Sequence, residues 1–278
     1  MNLPMGNFRT VMSIGLLSVA ACGDDGGSAT IDAPKAIDAA VDAIPDSPPA
    51  DVGPTYDFTC LNNAAPTTIA ATVTVSGSAQ HVVIQGMAPA VVANGGVSVK
   101  ACKGDCTGQN DLGTTTSSNV AGTLGAYSTA ALTTGGTALD GYLDATKTGD
   151  RRTLVFPPSP LAQSQSNVPI LQFSDGAMLA LAGLGITQSA QKGMVGIVVT
   201  DCAGMPIEGA TVTVTPAGDS PLDLGTLAQG MAPGTWLIMN VPAGDATVAA
   251  TYAGMTLRSH MVKSVAGATT TTGVRPGY

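Results

Sequence analysis

The sequence predicts an all-β protein made of two tandem β-sandwiches joined by a linker with one short helix. Three observations carry that prediction. Charged residues make up only 11% of the 278, with a single Glu at position 208, so the side chains that favour long amphipathic helices are missing. Gly and Pro number 35 and 18, enough to punctuate many short strands. Val and Thr alternate with period two in several runs, the pattern of a strand with one face inward. The length leaves room for one to three domains.

Residues 1–22 read as a targeting segment. Arg9 supplies positive charge, Val11 to Ala21 form a short apolar run, and small residues lead into Cys22. The run is shorter than the roughly 20 residues a membrane-spanning helix needs. Val19-Ala20-Ala21-Cys22 resembles the lipobox of bacterial lipoproteins. The resemblance implies cleavage before Cys22 and acylation of its thiol and new amino group, with the membrane as a partner through that lipid. Gly23 stands at the next position where Asp would act as a retention signal. By resemblance to the enterobacterial sorting rule, this implies the outer membrane or cell surface of a Gram-negative bacterium.

Residues 23–57 hold eight Asp against one Lys and form a loose repeat through Ile31-Asp32-Ala33, Ile37-Asp38-Ala39 and Val41-Asp42-Ala43. With dense Pro and few aromatics, the segment cannot bury enough apolar area to offset its ordering entropy. It is expected to be a disordered, self-repelling tether. No D-x-[DN]-x-[DN]-G spacing marks it as a Ca²⁺ loop. Residues 58–278 hold eleven acids and nine bases, so the folded part shows no basic field for nucleic acid.

Residues 58–160 are expected to form the first sandwich, a diverged copy of the second. A strand over 70–76 ends at Gly77, and His81 lies in a further strand, HVVIQ. Asn94-Gly95-Gly96 turns into the strand 97–102, strands follow at 114–118 and 124–129, and others at 140–145 and 153–156, the last stopped by Pro157-Pro158. The repeat is weak residue by residue and stronger as an order of strands. In the linker 161–192, Ser174 is a helix N-cap candidate with Asp175 beside it, and Gly183 and Gly185 stop the helix.

Residues 193–278 form the second sandwich. Val195, Ile197 and Val199 occupy alternate positions, and Cys202 to Pro206 make a turn. Ala210, Val212 and Val214 then alternate with Thr211, Thr213 and Thr215. Trp236 and Ile238 alternate with Leu237 and Met239 before Pro242-Ala243-Gly244. The order G-x-V-x-D-x-x-G-x-P-I-x-G-A-x-V-x-V, carried by Gly193, Val195, Asp201, Gly204, Pro206, Ile207, Gly209, Ala210, Val212 and Val214, is followed by Gly234, Trp236, Ile238, Val241, Pro242, Ala243 and Gly244. It resembles a carboxypeptidase regulatory-like domain over 193–278. That resemblance implies a seven-stranded Greek-key, prealbumin-like (transthyretin-like) sandwich, an accessory module rather than a catalytic one. The segment 217–230 departs from the family's more compact strand and turn.

Beyond Cys22, the cysteines Cys60, Cys102, Cys106 and Cys202 are disulfide candidates in an exported chain, with three possible pairings. His81 and His260 lie in no metal-ligand spacing, so neither a metal nor another cofactor is expected. No H-E-x-x-H, G-x-S-x-G or G-x-x-x-x-G-K-[ST] motif occurs, and neither His is paired by motif with a nucleophile. Each reads as a surface or satisfied side chain. The expected function is therefore non-enzymatic: a lipid-anchored surface protein with a binding, adhesion or envelope-structural role toward an envelope protein or glycan. The alternative is a carbohydrate-binding module, for which Tyr127, Tyr142, Tyr252 and Trp236 are the candidate ligand-facing aromatics. Trp236, in register with Ile238, fits a core position better than a sugar platform.

Overall fold

The computed structural model describes residues 54–85, 88–227 and 233–278. The targeting segment, nearly all of the tether, and residues 228–232, which take in the end of the divergent segment, lie outside the described residues. Residues 53–278 form one compact unit.

The fold is an all-β sandwich organised on one eight-stranded sheet. Its order is Leu222–Asp223, Thr235–Pro242, Lys192–Val199, Thr269–Val274, Thr153–Phe156, Tyr142–Thr146, Ser98–Cys102 and Asp111–Thr116. The first four strands come from the C-terminal half of the chain and the last four from the N-terminal half. They meet where Thr269–Val274 pairs in parallel with Thr153–Phe156, Thr270 opposite Leu154 and Thr271 opposite Val155.

Two smaller sheets cover this central sheet. One contains Gln165–Phe173, Val75–Gln85 and Ala88–Ala93, with Ala126–Ser128 also paired to Val75–Gln85. The other contains Thr211–Thr215, Gly244–Tyr252 and Met255–Thr256, with His260–Ser264 paired to Gly244–Tyr252. Strand register shows that they lie on opposite faces. Val195 and Ile197 align with Thr270 and Thr272, which align with Leu154 and Phe156, so these side chains share one face. Val195, Ile197 and Val199 pack with Val212, Val214 and Val248 of the C-terminal small sheet. Val155 points the other way and packs with Val75, Ala79 and Ile170 of the N-terminal small sheet.

The sequence expectation of two sandwiches separated at 161–192 therefore differs from the arrangement found. The halves share a sheet, and the expected connection supplies a strand. Gln165–Phe173 runs parallel to Val75–Gln85 before the helix Asp175–Gly183 begins. Ser174 caps that helix, its hydroxyl accepting from Ala177 N at 3.1 Å. Gly77 does not end its strand. It lies inside Val75–Gln85, where a Cβ would collide with the backbone carbonyl of Val168 on the parallel neighbour. The glycine permits close backbone approach, the other meaning of Gly within a strand.

Thr211–Thr215 keeps its Val side chains buried and its Thr side chains exposed, as alternation predicts. Thr235–Pro242 instead buries Trp236, Leu237, Ile238 and Met239 alike. Both of its faces are covered: Trp236 and Ile238 join the core against the C-terminal sheet, while Leu237 and Met239 pack with Phe173 and Ala177.

Candidate functional site

The least expected chemistry lies at one end of the N-terminal half, where a polar cluster sits between the central sheet and the sheet containing Val75–Gln85. Asn94 follows Ala88–Ala93 and is 1% exposed; Gln172, on Gln165–Phe173, is fully buried. Lys147 and Asp150 belong to the turn between Tyr142–Thr146 and Thr153–Phe156. That turn is closed by Asp150 N donating to Lys147 O at 3.2 Å and by Gly149 at φ 83°. The strand carrying Gln172 holds the turn in place, Arg151 N donating to Phe173 O at 2.8 Å and Asp175 N to Gly149 O at 3.1 Å.

Every heteroatom of the Asn94 carboxamide is engaged. Its Nδ2 donates to Asp150 Oδ2 at 2.8 Å and to Gln172 Oε1 at 3.1 Å. Its Oδ1 accepts from Lys147 Nζ at 2.5 Å, and the same amine donates to Gly95 O at 2.8 Å. The other carboxylate oxygen of Asp150 lies 2.8 Å from His81 Nδ1, with the Asp150 side chain 4% exposed. Gln172 Nε2 donates across to the carbonyls of Ala145 and Arg151. The cluster thus joins residues of both layers, and buried polar groups this fully paired favour one arrangement of the layers over others. A shallow depression lined by Gly96, Thr146, Lys147, Thr148, Asp150 and Arg152 opens beside it.

Local sequence signals do not reveal this cluster. Asn94 reads as a turn residue, and His81 reads as a satisfied strand histidine, which its bond to Asp150 makes it. Lys147 lies 53 residues from Asn94 and Gln172 lies 78 away, so no spacing rule connects them.

Cys60, Cys102, Cys106 and Cys202 pair as Cys60–Cys202 and Cys102–Cys106, one of the three arrangements left open by the sequence. Cys22 lies outside the described residues. The candidate aromatics do not form a ligand-facing set. Tyr127 is buried, its hydroxyl donating to Val168 O at 2.9 Å. Tyr142 is buried and stacked on Phe156 with centroids 4.8 Å apart. Trp236 is in the core. Only Tyr252 is half-exposed, and its ring packs edge-on against Tyr56 and stacks with Phe58. Burial overturns the reading of Tyr127 and Tyr142 as ligand-facing, while Trp236 occupies the core position that its register with Ile238 predicts. Among the described residues, no group of three His, Cys, Asp or Glu side chains has metal-holding geometry.

His260, on His260–Ser264, is an ionisable group strongly displaced by its surroundings. Burial, aided by the Arg258 charge, pushes the imidazole down to about 4. Nε2 lies 2.7 Å from Thr272 Oγ1, and the other ring nitrogen is buried without a partner. The folded state holds the neutral ring, while the unfolded state protonates near the ordinary value, so the unfolded chain binds more protons between the two pKa values. The neutral ring's contribution is complete above pH 6.5 and is lost as pH falls toward 4, about 3 kcal/mol by pH 4. Denaturation series at pH 7 and pH 4 are expected to show a smaller acid loss for His260→Gln than for the parent. Parallel losses in the two proteins would remove His260 from the acid response.

No family model matches the chain, and no curated protein matches it. Among solved structures, the chain is similar to the shaft pilin SpaA from Lactobacillus rhamnosus GG at 12% identity, with 74% of this chain and 98% of that chain covered and a TM-score of 0.20. It is similar to GBS52, the minor pilin of the Gram-positive pathogen Streptococcus agalactiae, at 11% identity over 73% and 95% of the two chains, TM-score 0.21. It is also similar to the Bacillus anthracis TIE protein at 10% identity over 74% of this chain and 34% of that one, TM-score 0.22. Likenesses this distant do not assign a function, and the all-β fold rests on the strand pairing itself.

Proposed function

We propose that the chain is a non-enzymatic, lipid-anchored cell-surface protein whose folded unit binds, adheres to, or organises the envelope. The observation that carries this reading is the Cys60–Cys202 disulfide. It ties the first residues after the tether to the turn following Lys192–Val199, across a sequence separation of 142. A protein held by its N-terminus transmits any pull through this point, and the bridge passes that load directly into the central sheet. Disulfides of this kind persist in oxidising compartments outside the cytosol. The run 11–21 ahead of Cys22, and the acidic tether behind it, supply the export signal and the spacer.

The carboxypeptidase regulatory-like resemblance of 193–278 belongs to the same reading. Such a module would serve as the presenting scaffold, and an envelope protein or a glycan is the partner class. Gly23 favours delivery to the outer membrane. The carbohydrate alternative is less well supported, because three of its four aromatic candidates are buried.

Substituting Cys22→Ala in the full chain tests the anchor. The parent is expected in the detergent-soluble membrane fraction, incorporating labelled fatty acid. The variant is expected to be unlabelled and free of the anchored fraction. A variant that partitions and labels like the parent would overturn lipid anchoring through Cys22.

A further inference from the structure

We propose that Lys147 and Asn94 are joined by an autocatalytic isopeptide bond, with Asp150 moving the proton. The inference rests on the cluster's geometry and is independent of how the protein is anchored.

An amide is inert toward amines in water, so the case depends on what the fold does to this pair. The amine of Lys147 touches the carboxamide, 2.5 Å from its oxygen. Among the described residues Lys147 forms no ion pair; its two acceptors are the neutral oxygens of Asn94 and Gly95. The carboxamide is buried and cannot rotate away, because Asp150 and Gln172 hold its nitrogen while Lys147 holds its oxygen. Reactants fixed in this way reach effective concentrations of ~10⁵ M or more. A carboxyl group stands on the nitrogen that must leave, Asp150 Oδ2 being 2.8 Å from Nδ2, and His81 fixes the other carboxyl oxygen.

The reaction balances without a co-reactant. The Lys147 ammonium gives up a proton to solvent, which the released ammonia later takes up, and Nζ attacks Cγ of Asn94. Asp150 takes a proton from the attacking nitrogen and returns it to Nδ2. The Nζ–Cγ bond forms, the Cγ–Nδ2 bond breaks, and ammonia leaves as ammonium. No atom is oxidised or reduced. The depression beside Lys147 and Asp150 gives the leaving group a path to solvent. The product ties the turn after Ala88–Ala93, in the smaller sheet, to the end of Tyr142–Thr146, in the central sheet. Unlike Cys102–Cys106, it would cross the sandwich from layer to layer, and reductants would not cleave it.

Mass spectrometry of the full chain decides the matter. After reduction, alkylation and tryptic digestion, the joined product is peptide 36–100 linked to peptide 104–151, uncut at Lys147. Its mass is expected to be about 17 Da below the sum of the two, the loss of one ammonia. Lys147→Arg and Asn94→Ala are expected to abolish it. Asp150→Asn keeps both reacting groups and is expected to leave them unjoined in folded protein with both disulfides formed. Recovery from the parent of only separate peptides cut after Lys147, or of position 94 converted to Asp with a gain of about 1 Da, would overturn the proposal. Full joining in Asp150→Asn would overturn the role given to Asp150. The parent's own mass decides the bond itself even where a variant fails to fold.

Discussion

Replacing both Cys60 and Cys202 by Ser is expected to destabilise the folded unit by about 4 kcal/mol, and by at most about 5 from the chain-entropy relation for so long a loop. The sequence separation of 142 means that the bridge restrains most of the unfolded chain. The same relation gives only about 2 kcal/mol for Cys102–Cys106, which closes a separation of 4. Non-covalent contacts keep the native state recognisable without the longer bridge. Asp57 N donates to Asp201 Oδ2 at 2.8 Å, Cys202 N to Asp57 O at 2.9 Å, and Tyr278 N to Asn63 Oδ1 at 2.7 Å. Urea titrations of the two double variants are expected to separate them by about 2 kcal/mol, with a steeper slope for the Cys60/Cys202 variant because its unfolded chain is less constrained. Equal losses would mean that the long bridge adds nothing beyond a short local clasp. The proposal that the bridge carries a pull from the N-terminus into the central sheet would then lose its physical basis.

What the sequence revealed follows from the range of each interaction. Val212 and Val214 could be placed inward from their neighbours alone, since a sheet face exposed to water imposes polar residues between apolar ones. The Ser174 cap was legible for the same reason, because its bond spans three residues. The shared central sheet was not. It depends on Thr269–Val274 meeting Thr153–Phe156, more than 100 residues away, and a run of threonines reads as solvent-facing. Thr269 and Thr270 are nonetheless fully buried, because both faces of the sheet are covered at that position. Gly77 misled for a related reason, since a glycine that ends a strand and one that admits a neighbouring backbone look identical in sequence. The Asn94–Lys147–Asp150 cluster follows from this same layering. Lys147 and Asp150 share one turn and Asn94 lies in another, and only the stacking of the two sheets brings the carboxamide to the amine and the carboxyl.

Substituting Trp236→Ala is expected to cost about 3–5 kcal/mol, the range for truncating a buried aromatic. The indole is 5% exposed and lies in the cluster with Val195, Ile197, Val212 and Val248. Its strand neighbours are Ile197 on one side and Asp223 on the other. The strand is flanked on both sides in a sheet covered on both faces, so little backbone movement is available to refill the volume, and the cavity adds to the lost transfer energy. Trp236→Phe retains an aromatic ring and is expected to cost markedly less. The comparison also discriminates between functions. A tryptophan serving as a sugar platform stands clear of the core, and its truncation removes binding while leaving stability nearly unchanged. A loss below about 1 kcal/mol on truncation would therefore contradict the core placement and restore the carbohydrate reading. A loss in the expected range leaves Tyr252 as the remaining exposed candidate, with Tyr56 and Phe58 packed on its ring. A lone tyrosine engaged in that way presents little free face to a sugar.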